Sequence, residues 1–231
     1  MILPFEDNPF IKEYVEIKRY FRRFESQTSK ERIRDFYRFA KILKQLGYEV
    51  AFDFVGSLNF GITEHNSDVD FILYIWCDEH VHQECTIFNC NNYRQVYFLI
   101  LHTLMQNYIK PQYQAQIVDY INLKKLEKEL NKESEHDHNI LFRFAFYRSI
   151  SRGVNLKILR PYQKKLLSKP ELLKTLSKYI DDVIFTFNQS SKHNLSFEKY
   201  RIRLHENGIK IPDSIIKKIK NYLNFSSNYL G

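Results

Sequence analysis

Asp68 and Asp70 occupy alternate positions in Ser67-Asp68-Val69-Asp70-Phe71-Ile72-Leu73, a run rich in residues that favour sheets. Side chains alternate along a strand, so both carboxylates project from one side. Two such charges side by side are costly unless a cation neutralises them. Hard oxygen ligands of this kind suit Mg²⁺ or Mn²⁺, ions that commonly bridge substrate phosphates. Upstream, Gly56-Ser57 follows a second strand-like run and is placed to open a helix, with backbone N–H groups left to hold a phosphate. The chain holds only six glycines, and two of them, Gly56 and Gly61, bracket Ser57-Leu58-Asn59-Phe60. Glycine used this sparingly marks a backbone geometry that a side chain would obstruct. An Asp-x-Asp pair alone, or a Gly-Ser turn alone, arises in surface loops of unrelated proteins; their joint spacing carries the reading.

The elements that must position these residues follow from capping and periodicity. Asn8 as N-cap and Pro9 at the first helical position, with apolar residues at 10, 14, 17, 21 and 24, predict a helix to about Phe24. Thr28-Ser29-Lys30-Glu31 reads as a capping box opening a second helix that stops at Gly47. Residues 49–55 and 68–75 read as strands, residues 91–109 as a helix ended by Pro111, and residues 115–121 as a third strand. Beyond Leu123 only helical periodicity is found, punctuated by Pro161, Pro170, Gly208 and Pro212, with a polar linker near residues 188–194.

With these motifs in place the chain resembles the DNA polymerase beta-like nucleotidyltransferase superfamily: Gly56-Ser57, then Gly61, then Ser67-Asp68-Val69-Asp70, at the spacing of the minimal nucleotidyltransferases and of the noncanonical poly(A) polymerases. The resemblance covers about residues 48–122; Arg148 to Leu156 is also similar to the segment that follows the core in minimal members. It implies a third carboxylate on a later strand, a role carried to Asp119 in Gln116-Ile117-Val118-Asp119-Tyr120-Ile121. It further implies Gly56, Ser57 and Gly61 at the nucleotide, and Asp68, Asp70 and Asp119 as metal and catalytic residues. In such a site an acceptor hydroxyl attacks the α-phosphorus of an NTP and pyrophosphate leaves. Asn59-Phe60 stands where many minimal members have Ala-Arg, so the turn brings no arginine of its own to the triphosphate.

Other signals have plainer readings beside the chemical one. Cys77, His80, His82 and Cys85, with Cys90 following, offer four ligands to a tetrahedral zinc ion, although the spacing is not that of a standard finger; the plainer reading packs the thiols as small apolar side chains and leaves the histidines in water. His136-Asp137-His138 reads as a solvated loop without a role. The sixteen tyrosines and nineteen phenylalanines read mostly as core, since one Trp and two Met leave little else to build it.

The charge is uneven: residues 1–50 hold 11 Lys and Arg against 8 Asp and Glu, net +3; residues 51–122 hold 2 against 8, net −6; residues 123–231 hold 22 against 11, net +11. The basic residues Lys124, Lys125, Lys128, Arg143, Arg148, Arg152, Lys157, Arg160, Lys164, Lys165, Lys217, Lys218 and Lys220 read either as a cationic wall that steers an NTP or a nucleic acid toward the acidic centre, or as solvated helix faces.

At 231 residues with 44% hydrophobic and 27% charged residues, composition excludes disorder and collagen. No apolar run approaches the ~18 to 20 residues of a membrane-spanning helix, the start lacks a secretory signal, and three cysteines cannot form a disulfide framework, so a cytoplasmic location without membrane partners is expected. The expected architecture is α+β: N-terminal helices (1–47) against a small mixed-sheet catalytic core (48–122), then a helical C-terminal domain (123–231), with nucleotide in the cleft between core and C-terminal domain. The expected activity is metal-dependent transfer of a nucleoside monophosphate from an NTP, ATP first among them, to a hydroxyl of an unknown acceptor, a small molecule or protein. Transfer to a nucleic-acid 3′ end and a catalytically silent, antitoxin-like partner module are the alternatives.

Overall fold

The computed structural model describes residues 3–78, 85–86, 88–106, 113–180, 182–183 and 191–223, with side chains for all of these except 103–106 and 191–195. Asn8 caps α1 (Pro9–Phe21) by accepting from the Phe10 and Ile11 amides, and a 3₁₀ turn at Arg22–Phe24 completes the expected span. Helix α2 (Gln27–Gln45) starts a little earlier than the capping-box reading places it: its cap is Ser26, whose Oγ accepts from the Ser29 amide. There follow β1 (Val50–Phe54), α3 (Gly56–Phe60), β2 (Val69–Ile75), α4 (Asn91–Gln106) and β3 (Ala115–Asn122). The rest comprises α5 (Leu123–Asn131), α6 (His138–Ile150), β4 (Arg152–Val154), α7 (Arg160–Leu167), α8 (Pro170–Ser177), α9 (Ser191–Glu206) and α10 (Asp213–Leu223). Ile109 and Pro111, where the fourth helix was expected to end, lie outside the described residues.

The protein is α+β, with a four-stranded mixed sheet in the order β3-β2-β1-β4. Strand β1 pairs antiparallel with both β2 and β4, and β2 pairs parallel with β3 through the α4 crossover. Each face of the sheet carries its own core. On one face Phe52, Phe54, Phe71 and Leu73 pack under α2 and α4, and Phe36 of α2 meets Phe52, Phe54 and Phe71 edge-on at ring-centroid distances of 5.0, 4.9 and 5.0 Å. On the other face Ala51, Ile72, Tyr74 and Ile121 pack against α1, α6 and the C-terminal helices. The aromatic residues are thus largely core, as composition implied.

Helices α1 and α2 take opposite faces of the sheet: α1 joins the C-terminal helices on one while α2 covers the other. Three details differ from the sequence reading. The segment beyond residue 122 is not purely helical, because Arg152–Val154 returns as an edge strand beside β1. Ser191 to Asn194, read as linker, are the first turn of α9. Asp137 is no idle loop residue: it caps α6 through the Asn139 amide and pairs with Lys125 at 2.9 Å, while the His136 ring meets the Glu129 carbonyl at 2.9 Å.

Helix α6 buries residues all around its circumference, which makes it the central helix of its layer rather than a surface one. It lies against the sheet face on which Asp70 stands and presents Arg143, Tyr147 and Arg148 toward it.

Candidate active site

The Gly56 turn and the Asp70 strand meet directly. Val55 donates its amide to the Asp70 carbonyl at 3.0 Å, and Gly56 has φ +58°, in the region that favours glycine. A Cβ built on Gly56 would lie 3.1 Å from Asp70 Oδ2. The glycine therefore serves two ends, the left-handed turn and the close approach of a carboxylate. Behind it, α3 begins without any side-chain cap on its first turn, and the Ser57 hydroxyl reaches Thr63 Oγ1 at 3.4 Å. Gly61 ends α3 at φ +78° with its carbonyl accepting from the Ser26 amide, so it shapes the turn from the far end.

Asp68 stands just ahead of β2 and is exposed; Asp70 is half-buried within it. Among the described residues neither carboxylate has an ion-pair or hydrogen-bond partner. Burial, and then the neighbouring Asp68 charge, push the Asp70 carboxyl above the usual carboxylate range. The charge of Arg32 on α2 reaches Asp68, but its guanidinium donates to the carbonyls of Ser67 and His65 and stacks on Tyr113, 4.1 Å from the ring centroid. It braces the loop that delivers Asp68.

Asp119 reaches the same sheet face by a bulge. Phe71 pairs with Ile117 and Ile72 with Asp119, so Val118 is extra and the alternation of β3 reverses there. In a regular ladder Val118 would face Ile72's side and Asp119 would point with Ile117 toward the α2–α4 core; the bulge re-aims it toward α6. There its carboxylate is fully engaged. Arg143 donates from Nε to Oδ2 at 2.9 Å and from a terminal nitrogen to Oδ1 at 2.5 Å, Tyr147 donates its hydroxyl to Oδ2 at 2.7 Å, and the Tyr120 amide donates to Oδ1 at 2.7 Å. Four donors fill the acceptor sites of a carboxylate. The structure brings Asp119 to the right face but holds it away from ligand duty in this conformation.

A further acidic residue on that face was not singled out from sequence. Asp53 of β1 faces Ile72 from the side opposite Asp119, fully buried, and its two oxygens accept from Arg148 and from the Tyr74 hydroxyl, the latter at 2.7 Å. The basic residues read as a wall are thus partly spent inside the molecule: Arg143 on Asp119, Arg148 on Asp53, Arg152 on Glu25, Lys124 on Asp78 and Lys218 on Glu16. No sequence signal could show this, because partners such as Asp53 and Arg148 are far apart along the chain.

Helix α9 covers the site from the C-terminal side. Tyr200 lies close enough to Asp70 for that charge to add to the effect of burial, which pushes its phenol up to about 12. Arg203 donates to the Ile62 carbonyl at 2.7 Å and pairs with Glu64, tying α9 to the loop after α3. Beneath lies a cavity of about 200 Å³ that opens at Gly56 and is walled by Val118, Tyr147, Phe197, Tyr200 and Tyr222. Asn59 and Phe60 point inward: Asn59 donates to the Tyr14 hydroxyl at 3.1 Å and the Ile150 carbonyl at 3.0 Å, and Phe60 packs in the core.

No family model, curated protein or solved structure matches the chain, so the chemistry of the site is argued from its own geometry. No helix among the described residues is long and apolar enough to cross a membrane.

Proposed function

We propose that the protein is a metal-dependent nucleotidyltransferase with the minimal nucleotidyltransferase type of core. One observation carries the reading. Among the described residues, of the four carboxylates at this sheet face Asp53 and Asp119 are paired with arginines of α6, whereas Asp68 and Asp70 stand together with no hydrogen bond or ion pair of their own, Arg32 reaching Asp68 only through its charge, and against a glycine turn that a Cβ would crowd. Two unpaired carboxylates with one half-buried are a donor set for a hard divalent cation. Mg²⁺ or Mn²⁺ held by Asp68 and Asp70 would neutralise a triphosphate and polarise its α-phosphoryl group.

The residues of the chain account for the remaining steps. The uncapped first turn of α3 and the Ser57 hydroxyl orient the β- and γ-phosphates. The aromatic cavity lined by Gly56 receives the base, with Tyr147 and Tyr200 offering rings to stack on. The acceptor oxygen attacks the α-phosphorus, the bond to the β-phosphate breaks, and pyrophosphate leaves with its charge held at the turn. Asp119 takes the acceptor proton or joins the metal only once Arg143 and Tyr147 release it; until then the proton passes to solvent.

The test is incubation with Mg²⁺ and each α-labelled NTP, with and without RNA and cell lysate, beside Asp68→Ala/Asp70→Ala. Label is expected on a small molecule or protein in the wild type and absent in the variant. Label on RNA 3′ ends would move the acceptor to nucleic acid. Failure to bind any NTP in the presence of metal would overturn the functional reading as a whole.

A further inference from the structure

We propose that Cys77, Cys85 and Cys90 form a thiolate site for one Zn²⁺ ion, placed where the chain leaves β2 and enters α4. This is separate from the carboxylate site and does not rest on the nucleotidyltransferase reading. The sequence pattern pairs Cys77 and Cys85 with His80 and His82, which lie outside the described residues; the structure instead brings in Cys90.

The three sulfurs all lie within 4.8 Å of one another, and the Cys77–Cys90 separation is 3.5 Å. Around a tetrahedral ion with Zn–S of about 2.3 Å, sulfurs sit roughly 3.8 Å apart, so this spread is closed by movements of well under an ångström per side chain. The three residues come from three places: just past the end of β2, the connection that follows, and the residue before α4. Packing alone asks only that each thiol be buried, which all three are; it does not ask that they converge.

Polar donors nonetheless reach two of the three buried sulfurs. The Tyr93 amide donates to Cys90 Sγ at 3.3 Å, so the sulfur stands in the N-cap position of α4, where the helix favours negative charge. The Asn122 side-chain amide donates to Cys85 Sγ at 3.8 Å and to the Cys77 carbonyl at 3.0 Å, holding two of the three residues from the end of β3. The Tyr120 hydroxyl is buried beside Cys85 and interacts with its sulfur, so a third polar group faces the cluster. Binding expels the thiol protons to solvent as Zn–S bonds form, leaving a net charge of −1 on the three-thiolate centre. The ion would pin the connection between the carboxylate-bearing strand and α4.

The experiment uses the full chain, reduced and freed of metal. After incubation with Zn²⁺ and gel filtration it should retain about one equivalent, which should raise its melting temperature. Titration with Co²⁺ should give a sulfur-to-metal charge-transfer band that saturates at one equivalent, and Zn²⁺ should bleach it. The band should persist in Asp68→Asn/Asp70→Asn and vanish in Cys90→Val, a variant that keeps an apolar side chain of similar size. Protection of the thiols from alkylation by Zn²⁺ supplies a readout on the wild type that does not depend on the variant folding. Absence of the band, its survival in Cys90→Val, or formation of a Cys77–Cys90 disulfide in place of metal uptake would overturn the proposal.

Discussion

Gly56→Ala tests whether the glycine turn exists to admit the Asp70 carboxylate, and Gly47→Ala is its internal control. Both glycines have positive φ, +58° and +91°, but a Cβ on Gly47 would meet nothing within 4 Å, whereas one on Gly56 would lie 3.1 Å from Asp70 Oδ2. An alanine held in the left-handed region costs roughly 1–2 kcal/mol at either position. For a chain of this size about 1 kcal/mol moves the midpoint by about 2–4 °C, so both variants should melt roughly 2–8 °C below wild type. Only Gly56→Ala must also displace a carboxylate, by a few tenths of an ångström. Since a misplacement of about 1 Å is worth up to ~10² in rate, the expected loss is about tenfold, read as weaker Mn²⁺ binding by calorimetry and slower transfer from α-labelled NTP. Equal melting shifts with unchanged Mn²⁺ affinity in Gly56→Ala would refute the reasoning, because the carboxylate would then tolerate the crowding that the geometry demands.

Asp53→Ala leaves Arg148 buried with its charge uncompensated and should destabilise by roughly 3–5 kcal/mol in urea unfolding, with Asp53→Leu/Arg148→Met recovering most of it. Lys18, buried and donating to the Ile150 and Ser151 carbonyls, is pushed down to about 7 by burial and by Arg22, against the pull of Asp53. The folded state then holds fewer protons than the unfolded chain between about 7 and the ordinary lysine value of 10.5, so stability should climb with pH across that window, and Lys18→Met should flatten the slope in denaturant titrations. Asp70 has the opposite sign: its raised carboxyl makes the folded state bind more protons from 3.8 upward, so metal-free stability falls as pH rises through that range, a slope that Asp70→Asn should abolish in melting curves. Arg143→Met removes charge-assisted bonds worth ~1.5–3 kcal/mol from Asp119 and should tighten Mn²⁺ binding by about tenfold or more; unchanged affinity would place Asp119 outside the reach of the metal.

The strands and the turn were legible because their signals are local. The Asn8 cap, the alternation around Asp68 and Asp70 and the glycines at 56 and 61 all act within a few residues. What stayed hidden was set by distance along the chain. Strand β4 is three residues long, too short for a period of two to register, and its middle residue is a glycine because a Cβ there would lie 2.1 Å from Leu156 and 2.6 Å from Asp53. The bulge at Val118 leaves no mark in composition, yet it decides which face Asp119 joins. The arginines of α6 read as surface charge on a helix whose apolar residues show no single stripe; only the fold reveals that the helix is buried on all sides and must aim its cations at acids.

That placement of cations gives the site its selectivity among acids. Asp53, Ile72 and Asp119 form one row across β1, β2 and β3, and α6 runs over it with Arg148 above the first and Arg143 above the last. A cation bound anywhere on this face would otherwise be drawn to whichever carboxylates were cheapest to desolvate. With both ends of the row already paired, Asp68 and Asp70 are the acids of this face that lack an ion pair among the described residues, and they lie beside the Gly56 turn, which also lines the aromatic cavity. Burial of Asp53 and Arg148 gains little stability by itself, since removing two ions from water offsets their attraction. Its consequence is positional: with the interior acids paired, the proposed divalent ion would be left Asp68 and Asp70 among the acids of this face, beside the Gly56 turn proposed to hold the phosphates.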